Sequence, residues 1–225
     1  MSFILNPYRF AAVGTASRSF DGNDYIDIAS STPDAAPLSL AAWVKFSSTT
    51  GNQCVVGIEG ENVDIVNGFA LVSVSGTFWA STVDDGSFDK AATTTSFSAG
   101  TWYHICAVFA ASNDRKIYVN GNATPEGTNT TTLTPDTQYV ERTRIGDRAN
   151  TLNEGTQYFN GNIADVRIYD KALSTSEISN IYNFTNVSDS LVGWWLTAND
   201  DVLDYAGTND GTNNGSTFST DGPAD

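Results

Sequence analysis

Residues 158–182 read YFNGNIADVRIYDKALSTSEISNIY, and this stretch decides the fold. Asn160 and Gly161 both tolerate positive φ, so the pair reads as a tight turn. From Ile163 the side chains alternate across a sheet. Ala164, Val166 and Ile168 fall on one face, and Asp165, Arg167 and Tyr169 on the other. The first set reads as a core face; the second carries an acid, a base and an aromatic. A short helix near 175–183 follows the strand. Ser174 is placed as its N-cap, and Glu177, three residues on, completes a capping box. Leu173 and Ile178 are spaced for a hydrophobic staple.

Working outward, short apolar runs are punctuated throughout by Gly, Ser, Thr and Asn, the pattern of an all-β chain. Its 225 residues suffice for one sandwich with a sizeable core. The formal net charge is −15 and the sequence pI about 4.1. Such a surface repels nucleic acid and anionic membrane, and suits divalent cations. No apolar run approaches the roughly 20 residues that span a bilayer, so no membrane insertion is expected. The start, MSFILNPYRFAAVG, does not read as a signal peptide, because Asn6-Pro7 and Arg9 interrupt its apolar run. The expectation is a retained arm over residues 1–16. Without a signal, Cys54 and Cys106 are expected as free, buried thiols.

Several segments together resemble the laminin-G-like jelly roll of the concanavalin A-like lectin and glucanase superfamily. The organising stretch matches through Phe159, Gly161, Ile163, Asp165, Val166, Arg167, Ile168 and Tyr169, then Ala172, Leu173, Ser174, Glu177 and Ile178. Ala164 stands where the family usually has an acid. SFDGNDYIDI (19–28), LSLAAWVKF (38–46), GTWYHICAVF (100–109), KIYVNG (116–121) and TRIG (143–146) resemble other family segments. Cys54–Ile58 and Phe69–Val74 read as further strands, 122–138 as a long polar loop, and 147–155 as another. The resemblance implies an antiparallel jelly-roll β-sandwich over residues 17–218, with 219–225 as a tail. Residues 191–212 resemble the family's opening segment but stand near the end. Leu191, Val192, Trp194, Leu196, Asp204, Gly207, Asp210, Gly211 and Thr212 carry that match. About 35 residues cannot bury a core alone, so a permuted order, completing the same sandwich, is favoured over a truncated repeat.

Calcium prefers several carboxylate, amide and carbonyl oxygens. Asp21, Asn23 and Asp24 offer such oxygens in one turn. The resemblance implies Asp165 as their distant partner and Ca2+ as a structural ion. The bland alternative is an ordinary turn, with Asp165 paired to Arg167. Asp204, Asn209 and Asp210 form a second oxygen-rich turn. Zinc and haem fit poorly, since the chain has one histidine, His104, which reads as structural. Glycosidases need two carboxylates about 5–10 Å apart; the nearest run, Glu59-Gly60-Glu61-Asn62-Val63-Asp64, reads as a loop.

A sugar site needs an exposed aromatic beside Asp, Asn or Arg. Trp79, Asp147, Arg148, Asn150 and Tyr158 form the candidate set, with Phe88 and Tyr139 as further aromatics. The expectation is a non-catalytic recognition or structural module. The arm and the single domain are similar to small virion proteins of tailed phages, which would imply capsid decoration, a head fibre or a tail. Partners would then be other virion proteins, host-surface glycans or copies of itself, and not nucleic acid. A secreted or cell-surface glycan-binding adhesion domain, and a jelly-roll glycoside hydrolase, are the alternatives.

Overall fold

The computed structural model describes residues 14–30, 33–60, 67–148, 157–195 and 201–224. Two antiparallel sheets face one another. The first runs in the order β10 (Gly127–Asn129), β9 (Asp114–Val119), β8 (Trp102–Ala111), β3 (Leu38–Phe46), β12 (Asn160–Tyr169), β1 (Ser17–Asp21) and β15 (Thr217–Ser219), with β13 (Leu191–Trp195) also on β12. The second runs β14 (Thr212–Asn214), β2 (Tyr25–Ile28), β11 (Arg142–Ile145), β4 (Asn52–Glu59), β5 (Asn67–Val74), β6 (Thr77–Asp84) and β7 (Ser87–Ala92). Alternate residues fill the space between them. Leu38, Leu40, Ala42, Val44 and Phe46 of β3 meet Phe69 and Leu71 of β5 and Phe78 and Ala80 of β6 in one core.

The chain's last part belongs to both sheets. β13 pairs with β12, β14 with β2, and β15 with β1. Buried Arg18 ties this segment down through Ser216, whose hydroxyl and carbonyl lie 2.9 and 2.7 Å from its guanidinium. Within the stretch read as a tail, Asp221 is tied to the first sheet. The Asp221 carboxylate contacts Lys45 and accepts the Trp102 indole N–H at 3.0 Å.

α1 (Thr175–Tyr182), the one α-helix among the described residues, starts as its sequence dictates. Ser174 accepts from the Glu177 N–H at 3.4 Å, and Glu177 accepts from the Ser174 N–H at 2.9 Å. Its apolar side, Ile178 and Ile181, packs with Leu173, Tyr169, Cys106 and Val108 on the outer face of the first sheet. That sheet is therefore covered on both sides.

β12 departs from simple alternation in two ways. Asn160 and Gly161 lie inside the strand, opposite Asp21 and Phe20, and not in a turn. Gly161 is there for close approach. Its φ is +146°, and a Cβ would stand 2.1 Å from the Lys45 carbonyl oxygen of β3. Second, a β-bulge falls between Ala164 and Arg167, with Asp165 at φ +49°. Aspartate tolerates that left-handed backbone better than most residues. The extra residue shifts the faces. Ile163, Val166 and Ile168 share the core, while Ala164, opposite Trp43, joins Arg167 outside.

The bulge is held by buried charge. Arg167 donates to both oxygens of Asp165 at 2.9 and 3.0 Å, and both residues are at most 3% exposed. The Trp194 indole N–H reaches Asp165 Oδ1 at 2.6 Å, and its ring lies 4.7 Å from the Arg167 guanidinium. Asp165→Ala leaves a buried guanidinium without its carboxylate, and should cost about 3–5 kcal/mol of unfolding free energy. Urea unfolding checks this; a loss below about 1 kcal/mol would show that the pair does not hold the junction.

Candidate recognition surface

The outer face of the second sheet has no helix on it among the described residues. Register places Tyr25 and Asp27 of β2, Arg142 and Arg144 of β11, Glu59 of β4, Val72 of β5, Trp79 and Ser81 of β6, and Phe88 and Lys90 of β7 on this one side. Their sequence neighbours Ile26, Ile28, Ile145, Phe78, Ala80 and Ala91 point into the core.

At one end, Trp79 and Phe88 lie nearly parallel, with ring centroids 6.4 Å apart and planes 7° from each other. Phe88 is 58% exposed. The Lys90 ammonium sits 3.4 Å from the Trp79 centroid and 5.3 Å from that of Phe88. The Trp79 indole N–H donates to Thr77 at 3.1 Å, which fixes the ring. Val72, Val74, Ala70 and Cys54 pack behind it.

At the other end Tyr25 stacks on Tyr158, with centroids 6.3 Å apart and planes at 21°. Arg144 lies over Tyr25 at 4.5 Å. Four strand spacings separate β2 from β6, or roughly 19 Å at about 4.8 Å each. Between the aromatic pairs runs an ionic network. Asp27 accepts from Arg144 at 3.1 Å and pairs with Arg142 at 3.4 Å; Asp147 stands 3.6 Å from Arg144; Arg148 grips both oxygens of Glu59. A sugar offers apolar ring faces and hydroxyls. This surface offers flat aromatics and, from the network, the part-exposed Asp27 and Arg142.

The predicted sugar residues divide. Trp79 and Tyr158 are half-buried and lie at opposite ends of this face. Asp147 and Arg148 are not free surface groups. They are 0% and 8% exposed and belong to the network, because a buried Glu59 needs a cation beside it. Asn150 lies outside the described residues, as do Glu61, Asp64 and most of the 1–16 arm. Tyr139 sits away from this face, in a polar groove of about 370 Å³ with Asn67, Asp84, Asp85 and Asp136. Sequence reasoning missed Tyr25, Asp27, Arg144 and Lys90. The alternation of Tyr25 and Asp27 with Ile26 and Ile28 was the available signal.

The predicted metal set also divides. Asp21, Asn23 and Asp24 do converge. The Asn23 amide, turned with its nitrogen toward the acids, lies 2.9 Å from Asp21 Oδ1 and 3.0 Å from Asp24 Oδ1, while Asp24 Oδ2 accepts the Asp21 N–H at 2.9 Å. Burial raises the pKa of Asp24. This turn supplies about three of the six to eight oxygens that calcium takes. Asp165 is not with them. Asp21 pairs with Asn160, five residues earlier on β12, and Asp165 is committed to Arg167. Among the described residues no group of three or more His, Cys, Asp or Glu is arranged to hold a metal. Asp204 organises its own turn instead, accepting backbone N–H groups of Trp194, Ala206 and Asn209 at 2.9–3.1 Å.

Neither cysteine is a nucleophile. Cys54 and Cys106 are free and buried, and burial pushes both thiols up, away from the thiolate. His104 is 2% exposed and packs edge-on against Trp43 at 5.4 Å.

Comparison with known proteins places this geometry. The profile of the Concanavalin A-like lectin/glucanases superfamily matches residues 20–179. No curated protein matches. Among solved structures, a Bacteroides ovatus protein provisionally described as carbohydrate binding is 16% identical with a TM-score of 0.69, covering 91% of this chain; the chain spans 59% of that protein. A Ruminococcus gnavus sialidase module, CBM40, bound to α2,3 sialyllactose, is 14% identical with a TM-score of 0.58, covering 74% of this chain and 96% of that one. Domain 4 of a Geobacillus stearothermophilus extracellular arabinanase, in complex with arabinotriose, is 17% identical with a TM-score of 0.57, covering 74% and 76%. At such identities the likeness concerns the fold.

His104 gives a pH test. Burial, with Arg167 nearby, lowers its pKa from 6.5 to about 3. Below pH 6.5 the unfolded chain therefore binds a proton that the folded chain refuses, so stability falls as pH drops from about 6.5 toward 3. The slope from this group is about 1.4 kcal/mol per pH unit. His104→Phe, which keeps a ring against Trp43, should lack that slope. Urea unfolding of both proteins between pH 7 and 4.5 checks it; parallel profiles would contradict it.

Proposed function

This chain belongs to the Concanavalin A-like lectin/glucanases superfamily, and on that premise we propose that it is a non-catalytic carbohydrate-binding module working through the outer face of its second sheet. The observation that carries the reading is the nearly parallel pair of half-buried Trp79 and exposed Phe88, on a sheet face that carries no helix among the described residues, with Lys90 beside it. The pyranose ring stacks on the aromatics, which removes apolar surface from water. Hydroxyls exchange hydrogen bonds with Asp27 and Arg142, the part-exposed members of the charged network toward Tyr25 and Tyr158, which the buried ion pairs beneath hold rigid. Preorganisation of that kind lowers the ordering cost of binding.

The relatives described above as binding carbohydrate support the sugar as ligand. The arabinanase is extracellular, and the proposal extends that setting to this chain. Among the described residues no helix is long and apolar enough to cross a membrane. A glycoside hydrolase is disfavoured on geometry, because Glu59 is fully buried and clamped by Arg148 and offers no acid or base to a substrate. The particle role expected from the N-terminal sequence has no support among the compared proteins and is left aside. Calcium enters only as a proposed structural ion of the Asp21–Asp24 turn, and no step of recognition is routed through it. A thermal melt in calcium against chelator tests that ion: a higher melting temperature with calcium supports it, and coincident melts remove it.

A broad glycan array tests the function. The reading expects defined hits and at least tenfold weaker binding by Trp79→Ala, a loss of about 1.4 kcal/mol, with a cooperative melt retained. Tyr158→Ala should weaken binding to longer oligosaccharides more than to short ones. An array blank for the wild type, or hits indifferent to both substitutions, would overturn it.

A further inference from the structure

We propose that Lys90 makes this surface selective for sugars bearing a carboxylate. The inference rests on the recognition surface proposed above and goes further, naming the class of sugar. The chain carries a net charge of −15. In such a protein each cation is expected to be claimed by a nearby acid. Lys45, Lys116 and Lys171 are, by Asp221, by Asp114, and by Glu177 with Asp189. Lys90 alone among the lysines has no carboxylate partner among the described residues.

Its surroundings explain why the charge stays unclaimed. Asp89 is adjacent in sequence but belongs to the opposite side of β7, where Arg115 stands 3.5 Å from it and Asn129 donates to it at 2.7 Å. Across the ladder Lys90 faces Ser81, and its strand neighbours on the outer side are Phe88 and Ala92. The hairpin acids Asp84 and Asp85 lie at the far end of the strand pair, past Phe88. The ammonium is instead held by two aromatic rings, 3.4 Å from one centroid and 5.3 Å from the other. A cation–π contact positions a charge without neutralising it.

This places a compact positive charge beside an exposed ring. A uronate or nonulosonate unit brings both complements at once: an apolar ring face for Phe88 and a carboxylate for Lys90. A neutral sugar brings only the first. Lysine supplies a compact point charge with three rotatable donors, which meets a carboxylate without demanding one fixed geometry. No carboxylate among the described residues claims this charge, and the proposal takes the matching anion from the bound sugar.

Titration calorimetry with matched pairs tests this. The probes are sialyllactose against lactose, and trigalacturonate against its carboxyl-reduced counterpart, alongside the strongest neutral array hit. The wild type should bind one acidic member at least tenfold tighter than its neutral partner, with the preference shrinking as salt rises. Lys90→Gln should erase the preference, bringing acidic and neutral members to equal affinity; Lys90→Arg should keep it. Equal binding of acidic and neutral members, or a preference that survives in Lys90→Gln, overturns the role of Lys90. If Trp79→Ala still abolishes binding in that case, the recognition surface stands. Absence of binding to every glycan overturns both.

Discussion

The Asp165–Arg167 pair at the β12 bulge is the constraint on which the sandwich depends. On one edge β12 pairs with β3 along most of its length. On its other edge it pairs first with β1, over Asn160–Ile163, and then with β13, over Val166–Tyr169. The bulge falls between these two partners. Its left-handed residue is an aspartate that must be buried, so it must be matched by a cation. Arg167 lies two residues on and supplies the match. Trp194 of β13 then caps the pair with its indole N–H. A backbone irregularity, a buried charge pair and the docking of a late strand are thus one event.

From that junction the rest of the architecture follows. β13 leads into the turn built on Asp204, then to β14 on one sheet and β15 on the other. Arg18, through Ser216, and Asp221, through Trp102, fasten the last part of this segment. α1, which leaves β12 directly, has the outer face of the first sheet to cover and does so with Ile178 and Ile181. Only the second sheet retains a helix-free outer face among the described residues. Half-buried Trp79 of β6 and exposed Phe88 of β7 lie on the face opposite the one that α1 covers.

Most of the fold was legible in the residues. The capping box, the helix and the core strands follow from spacing that local chemistry enforces. The errors lie where tertiary contact overrides local reading. Asn-Gly favours a turn, yet at 160–161 the glycine serves the close passage of the Lys45 carbonyl oxygen, which no local pattern reports. The alternation from Ile163 is broken by a bulge whose cause, the Asp165 pairing, depends on Trp194 nearly thirty residues away. The surface was harder still. Asp147 and Arg148 look like loop polar groups, and only the position of Glu59 on a neighbouring strand explains their burial. Lys90 was overlooked because an isolated lysine in a strand is unremarkable. It becomes informative only when every other lysine is seen to have its acid.

The central claim, that the outer face of the second sheet is where this protein meets its ligand, has five tryptophan reporters. The most direct measurement is a two-dimensional NMR titration of the indole N–H signals with the strongest-binding oligosaccharide. The account predicts that the Trp79 signal moves with ligand concentration while Trp43 and Trp195, buried elsewhere, stay still. A still Trp79 signal with movement at Trp102 or Trp194 would put recognition on the first sheet and contradict it.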